Sequence, residues 1–189
     1  MTRASEIIEV TSPLDEAMVQ QLRAGMNLSL RGVIYTARDA AHKRLVTTIE
    51  KGEELPLKLV GQTIYYMGPS PTRPGAVIGA AGPTTSSRMD DYTPSLLKAG
   101  MRACIGKGER SAEVCQALKQ HSAVYLAAIG GVGALISLAI RSVEVVTYDD
   151  LGTEAIRRLE VTGFPVVVAC DIFGNNIFQQ GRARYRVGG

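Results

Sequence analysis

Hydrophobic positions along this chain follow two different spacings, and the spacing changes from segment to segment. Alternating or continuous apolar runs predict strands at 6–10, 27–36, 63–67, 77–79, 103–105, 123–129, 143–148, 164–170 and 177–179. Apolar residues three or four positions apart predict helices within 12–25, 38–50, 86–99, 111–120, 134–140 and 153–159. The first half is rich in strands and the second alternates strand and helix. This order predicts an α/β fold with a mixed sheet.

Two segments leave a choice open. The pattern from Asn27 to Thr36 fits either a pair of strands or one long strand bent at Gly32. The stretch from Ser122 to Ile140 carries no charge and approaches the length of a membrane span. Four residues with three glycines, 130–133, interrupt it, which favours a buried strand, a turn and a helix instead.

Composition places the chain among ordinary globular proteins. Its 189 residues fit a single domain, 1–189, and 46% of them are hydrophobic and 21% charged. The net charge is only +3 and basic residues form no long run, so nucleic acid is not an expected partner. No secretory signal is recognisable at the start, and a membrane association is not expected. Residues 182–189 are predicted to be a basic, flexible tail.

The cysteine pattern argues against a metal site or a disulfide framework. Cys104, Cys115 and Cys170 are irregularly spaced and form no Cys-x-x-Cys pair. We therefore expect no metal ligands in this chain and reduced, partly buried thiols, as in a cytoplasmic protein.

The segment Gly82-Pro83-Thr84-Thr85-Ser86-Ser87-Arg88 is the strongest candidate for a binding site. It places four hydroxyls and an arginine directly after a Gly-Pro break, at a predicted junction between a loop and a helix. Hydroxyls, free backbone N–H groups and a guanidinium together suit a carboxylate or phosphate. The alternative is a simple helix cap, with Asp90 in the first turn, but a cap needs only one hydroxyl.

Two further cations stand at turns. Arg38 begins a predicted helix and shares a face with His42, although an ordinary surface helix start, with Asp39 favouring the helix dipole, fits the spacing better. Lys107 lies between two glycines, which fits a close approach to a ligand but also a common solvated turn. Such a set can hold a dicarboxylate, yet candidates for acid–base chemistry are few. A partner is therefore expected to supply the rest.

Several motifs, taken in order, resemble one family. They are Tyr35-Thr36-Ala37-Arg38-Asp39-Ala40-Ala41-His42, Tyr65-Tyr66-Met67-Gly68-Pro69, the segment from Gly79 to Asp90, Gly106-Lys107-Gly108 and the segment from Asp150 to Ile156. Together they resemble the β subunit of two-subunit class I fumarate hydratase, which corresponds to the C-terminal domain of single-chain class I fumarases. The resemblance covers roughly residues 5–180 and extends to the β subunit of L(+)-tartrate dehydratase.

The resemblance implies a swivelling β/β/α domain and a hydro-lyase that interconverts fumarate and L-malate. It implies a 4Fe–4S cluster held by three cysteines of a partner α subunit, where iron acts as a Lewis acid on the leaving hydroxyl. Carried over by motif, Arg38, Arg88 and Lys107 would bind substrate carboxylates. Thr84 would be the candidate base, and Thr85 would position substrate beside it. His42 would only support its neighbours.

Alternatives to this function remain. Dehydration of L(+)-tartrate would use the same chemistry, and the Tyr65-Tyr66 segment favours fumarate only slightly. A module that binds anions without catalysis is the candidate from another class. The expected assembly is a hetero-oligomer with the α subunit, or a homodimer when the chain is isolated.

Overall fold

The computed structural model describes residues 6–129 and 131–185, and its centre is a closed barrel. The strands are β1 (Ile7–Ser12), β2 (Asn27–Thr36), β3 (Thr63–Tyr65), β4 (Ala103–Gly106), β5 (Val124–Ala127), β6 (Ile140–Thr147) and β7 (Ile156–Cys170). The helices are α1 (Glu16–Gln21), α2 (Asp39–Glu50), α3 (Thr93–Lys98), α4 (Ala112–Gln120), α5 (Gly133–Ser137) and α6 (Ile177–Tyr185). Short 3-10 helices cover Ser86–Met89 and Asp149–Glu154.

Strand β7 closes the barrel. β2, β3, β4 and β5 lie side by side and parallel, and β7 pairs antiparallel with both β5 and β2. β1 adds to β2 in parallel, and β6 adds to β7 antiparallel. β7 can pair with three strands because it is 15 residues long. The prediction of a mixed α/β fold with a mixed sheet is confirmed.

Strand β2 is one long strand, not a pair. Its register against β7 shifts between Leu30 and Gly32, which bends it around the barrel. Gly32 has a φ of +97°, and a Cβ there would lie 2.2 Å from the carbonyl oxygen of Ser12. The bend therefore requires glycine, both for its backbone angle and for the close approach of β1.

Two apolar clusters lie on either side of the strand wall. One joins barrel residues such as Leu30, Ile105 and Phe164 with residues of α1 and α5. The other packs α2, α3 and α4 against residues of the opposite strand faces, including Tyr66 and Tyr125. Alternation along the strands creates this division, because successive side chains point to opposite faces.

Three predicted elements are wrong. Residues 153–159 were expected to be helical, but Ile156 begins β7, where pairing with β2 and β6 outweighs local helical spacing. Residues 177–179 were expected to form a strand, but Asn176 accepts from the backbone N–H of Phe178 at 2.9 Å and begins α6. Residues 77–79 form no strand.

The end of the chain also differs from expectation. Residues 182–185 belong to helix α6, so this part of the predicted flexible tail is helical. Residues 186–189 lie outside the described residues.

The uncharged stretch contains the predicted strand and helix, although Ile140, predicted to be helical, begins β6. It contains β5 and α5, and Gly130 between them lies outside the described residues. Within residues 6–129 and 131–185, no helix combines the length and the apolar character that a membrane crossing requires.

Candidate functional site

The sequence-predicted cations converge at one edge of the barrel. Arg38 follows the end of β2, Gly68 lies just beyond β3, and Lys107 follows β4. The register aligns Thr36 with Tyr65 and Tyr65 with Ile105. The carboxyl ends of parallel strands meet at the same edge of a sheet, and this edge is a recurring position for ligand sites.

The hydroxyl segment, residues 82–88, forms backbone hydrogen bonds with this edge of the barrel. The backbone N–H of Thr84 donates to the carbonyl of Tyr66 at 2.7 Å, and that of Lys107 donates to the carbonyl of Thr84 at 3.2 Å. Ser86 N–H donates in turn to the carbonyl of Lys107 at 2.9 Å. A bridge pairs Thr85 with Lys107, so the motif Thr84-Thr85 extends the β4 edge like a short added strand.

Three polar side chains at this edge remain available to a ligand. Within the described ranges, neither the hydroxyls of Thr84 and Thr85 nor the ammonium of Lys107 hydrogen-bonds or ion-pairs with another residue. Thr84 is partly buried, whereas Thr85 and Lys107 are exposed. The segment therefore presents hydroxyl groups and a positive charge together on a fixed backbone.

Both arginines of the site meet the same carboxylate. Arg88 donates to Asp39 through Nε at 2.9 Å and through Nη2 at 2.8 Å, in a bidentate pair. Arg38 Nε lies 3.7 Å from the same Asp39 carboxylate. Asp39 opens helix α2, so its charge also faces the positive end of the helix dipole.

Glu154 also forms an ion pair with Arg38, through Nη2, whereas Asp39 lies near Nε. The Glu154 carboxylate accepts from the backbone N–H of Ala40 at 2.7 Å and lies 3.3 Å from Arg38 Nη2. Gly68 leaves just enough room, because a Cβ there would lie 2.9 Å from Arg38 Nη1 and 2.9 Å from the carbonyl oxygen of Thr153. Arg38 is thus confined by α2, by the loop after β3 and by the 3-10 helix before β7.

His42 lies behind Arg38 and is fully buried. Its Nδ1 is 3.0 Å from the carbonyl oxygen of Arg38, and its ring meets Tyr66 edge-on at 5.1 Å between centroids. Burial lowers the pKa of His42 from 6.5 to about 4, so the ring is neutral at physiological pH. The neutral, enclosed imidazole contacts the backbone of Arg38 through Nδ1, and its Nε2 has no hydrogen-bond partner among the described residues.

The buried side chain of Arg110 binds the residues that follow the hydroxyl segment. Arg110 donates through Nε to Asp90 at 2.6 Å and through Nη2 to Thr93 at 2.7 Å. Its side chain is fully buried, and its guanidinium stacks 5.3 Å from the Tyr66 ring. Asp90 ends the Thr-Thr-Ser-Ser-Arg-Met-Asp motif, so Arg110 fixes that end of the motif.

The structure places all five sequence-predicted site residues, Arg38, Thr84, Thr85, Arg88 and Lys107, around one edge.

The sequence alone did not predict the carboxylates that orient the two arginines. Asp39 was interpreted only as favouring the helix dipole, although it directly follows Arg38. Glu154 lies 114 residues from its partner Ala40, and no local signal could have joined them. Arg110 likewise carries no signal in its neighbourhood.

The residues that the structure describes contain no group of three or more His, Cys, Asp or Glu side chains able to hold a metal ion. All three cysteines are free, and Cys104 is buried against Arg110.

Comparison with known proteins identifies the family of this chain. The family described as "Fumarase C-terminus" matches residues 2–181, which is nearly the whole chain and includes every residue of the site. This chain belongs to the Fumarase C-terminus family. The motifs around Arg38, Thr84 and Lys107 lie within the matched range.

Individual relatives of this Fumarase C-terminus domain differ in length. The class I aerobic fumarate hydratase of Escherichia coli K12 is 40% identical over 177 residues, covering 92% of this chain and 32% of that protein. A putative class I fumarate hydratase of Geobacillus stearothermophilus is 37% identical, covering 92% and 34%. The chain thus spans about a third of these relatives. A putative L(+)-tartrate dehydratase subunit beta of Methanocaldococcus jannaschii is 38% identical, covering 86% of both chains.

Proposed function

We propose that this chain is the β subunit of a class I fumarate hydratase and interconverts fumarate and L-malate together with an α subunit. The observation that carries the proposal is the convergence of Arg38, Arg88 and Lys107 beside the free hydroxyls of Thr84 and Thr85. Two negative charges on a small substrate match this set of cations. Coverage of a third of the longer fumarate hydratases supports a division of the enzyme into two parts.

Each cation has a distinct part in the proposal. Arg88 uses Nε and Nη2 for Asp39, which leaves Nη1 directed to a substrate carboxylate. Arg38, oriented by Glu154, binds the same or the second carboxylate. Lys107 adds a positive charge that no described side chain neutralises. Thr85 positions the substrate next to Thr84.

Thr84 is the proposed base that takes a proton from the substrate carbon. A threonine hydroxyl is a weak base at its ordinary pKa, so it needs activation. The Lys107 ammonium on the adjoining backbone favours an alkoxide, and an acidic group of the α subunit would complete the proton transfer. His42 does not take this part, because its ring is fully buried and burial lowers its pKa to about 4, which makes it a weak base.

The iron–sulfur cluster of the proposed enzyme does not fit the described residues of this chain. Three convergent thiolates are needed, but Cys104 is fully buried and hydrogen-bonded to Arg110, and it makes no described contact with the pair formed by Cys115 and Cys170. We therefore assign the cluster to the α subunit.

The proposal also includes a swivelling movement of this domain against the α subunit. It includes a cytoplasmic location as well, and the free thiols support that location.

L(+)-tartrate is the second candidate substrate. The observation in its favour is the tartrate dehydratase relative, a putative β subunit that this chain matches over 86% of its length. Tartrate carries one more hydroxyl than malate but the same two carboxylates, so the cations at the barrel edge fit either substrate.

Anaerobic coexpression with a cluster-bearing α subunit tests the function. Turnover of L-malate to fumarate, with little dehydration of L-tartrate, is the expected result, and this chain alone should be inactive. Preferential dehydration of tartrate would reassign the substrate. An intact complex with a loaded cluster and neither activity would instead indicate a non-catalytic anion-binding module.

Replacing Arg88 tests the site within that complex. Arg88→Ala should lower kcat/KM by a factor that corresponds to about 2–4 kcal/mol of transition-state binding. Arg31→Ala is a matched control, since Arg31 pairs with Glu9 in an exposed position on β2. An unchanged kcat/KM in Arg88→Ala would remove this residue from the site.

A further inference from the structure

Two cysteines from different elements touch each other on the helical side of the barrel. Cys115 lies in α4 and Cys170 ends β7, and their Sγ atoms are 3.8 Å apart although 55 positions separate them in the chain. Cys115 is partly exposed, whereas Cys170 is 2% exposed. The third cysteine, Cys104, is fully buried and accepts a hydrogen bond from Arg110.

We propose that Cys115 and Cys170 form a peroxide-sensitive dithiol that closes reversibly into a disulfide within the chain. This inference goes beyond the proposed function, because neither thiol belongs to the carboxylate site. It rests on the direct contact of the two sulfur atoms and on their unequal access to solvent.

The surroundings favour Cys115 as the reacting thiolate. The hydrogen bond from the Cys170 thiol is the main cause that lowers the pKa of Cys115 to about 7. The Asn176 amide, 3.7 Å from Cys115 Sγ, and the Arg110 charge act in the same direction, while burial opposes them. The same contact raises the pKa of Cys170, so the shared proton stays on the buried sulfur. A partly exposed thiolate is the form that oxidants attack.

The reaction balances with one molecule of hydrogen peroxide. The Cys115 thiolate attacks one peroxide oxygen, the O–O bond breaks, and Cys115 becomes a sulfenic acid while the other oxygen leaves as hydroxide and takes up a proton to form water. The Cys170 sulfur then attacks the Cys115 sulfur, the S–O bond breaks, and the second water leaves with the Cys170 proton. The two thiols are oxidised by two electrons in total, and the peroxide is reduced to two waters.

The fold requires little movement for this step. The sulfur atoms must approach from 3.8 Å to about 2.0 Å, the length of a disulfide bond. Helix α4 and strand β7 fix both residues, and Cys170 and Asn176 are joined by a backbone bridge that holds the amide beside the pair. No other described cysteine contacts either sulfur.

Peptide mapping of the full chain after treatment with hydrogen peroxide tests the proposal. After peroxide, unfolding and alkylation, we expect one linked peptide pair joining Cys115 to Cys170, with Cys104 alkylated and the chain monomeric on a non-reducing gel. Dithiothreitol should restore both thiols. Linkage through Cys104, linkage only between chains, or oxidation of Cys115 to sulfinic acid without a disulfide would overturn the proposal.

Two variants define the order of the steps. In Cys170→Ser the reaction should stop at the sulfenic acid, so dimedone should label Cys115. Cys104→Ala is the matched control and should keep the linkage between Cys115 and Cys170. Absence of dimedone labelling in a folded Cys170→Ser variant would contradict Cys115 as the first thiol oxidised. The mapping of the unaltered chain is independent of whether either variant folds.

Discussion

The carboxylate of Asp39 receives two parallel hydrogen bonds from Arg88, at 2.9 Å and 2.8 Å. This pair joins the start of α2 to the 3-10 helix of the hydroxyl segment, two elements that lie 49 positions apart in the chain. The guanidinium keeps one edge for Asp39 and leaves Nη1 without a hydrogen bond to any described residue. Asp39 therefore positions Arg88 and preserves a free donor for a ligand.

Replacing Asp39 tests this positioning. Asp39→Asn should raise KM for the substrate about tenfold, equivalent to roughly 1.4 kcal/mol, because Arg88 loses its charged bidentate partner. Steady-state kinetics of the complex with the α subunit measures the change. Glu9→Gln is the matched control, since it removes the carboxylate of another arginine pair, with Arg31, away from the site. Equal effects of the two substitutions would contradict the positioning role.

Gly68 is predicted to control the position of Arg38. A Cβ at this residue would lie 2.9 Å from both Arg38 Nη1 and the Thr153 carbonyl oxygen, which is too close for either contact. Gly68→Ala should therefore displace Arg38 and lower kcat/KM by about tenfold or more. Gly181→Ala, where a Cβ meets no atom within 4 Å, should leave kcat/KM unchanged. Wild-type kinetics in Gly68→Ala would show that Arg38 needs no fixed position.

Arg110 should matter mainly for stability. Arg110→Met leaves Asp90 without its buried counter-charge and should cost about 3–5 kcal/mol of unfolding free energy. Denaturant unfolding of the isolated chain measures this loss. Arg182→Met removes the arginine of an exposed pair with Glu109 and should cost less than about 1 kcal/mol. Adding Asp90→Asn to Arg110→Met should recover part of the stability, and a further full loss would contradict the pairing argument.

The buried His42 predicts a dependence of stability on pH. Its pKa in the folded chain, about 4, is below the value of 6.5 for an exposed histidine. The unfolded chain therefore takes up a proton as the pH falls below 6.5, while the folded chain does not until the pH approaches 4. This difference favours unfolding at low pH.

Urea unfolding at pH 7 and pH 5 measures this effect. We expect His42 to account for about 2 kcal/mol of the stability lost between these pH values, and His42→Gln should lose correspondingly less over the same interval. Thr47→Ala, at an exposed position of the same helix, should keep the wild-type pH dependence. An identical pH dependence in His42→Gln would show that this histidine is not protected from protonation.

The local sequence determined most strands, the start of α2, and the five residues of the candidate site. Such features depend on neighbours in the chain: apolar alternation, glycine and proline breaks, and clusters of hydroxyl and basic groups. The family resemblance then implied that those residues bind one substrate. The same local rules predicted a helix at 153–159, where β7 begins at Ile156, because helical spacing over a few residues cannot reveal pairing on both sides.

Only the tertiary structure decided how the site is oriented. Asp39 meets Arg88, Glu154 meets Arg38 and α2, and Arg110 meets Asp90, and each of these contacts joins separate segments of the chain. The Cys115–Cys170 contact, across 55 positions, is of the same kind. Spacing along a sequence records which groups are available, but the packing of distant elements determines which of them meet. A charged side chain takes a fixed orientation only when a partner from another part of the fold holds it.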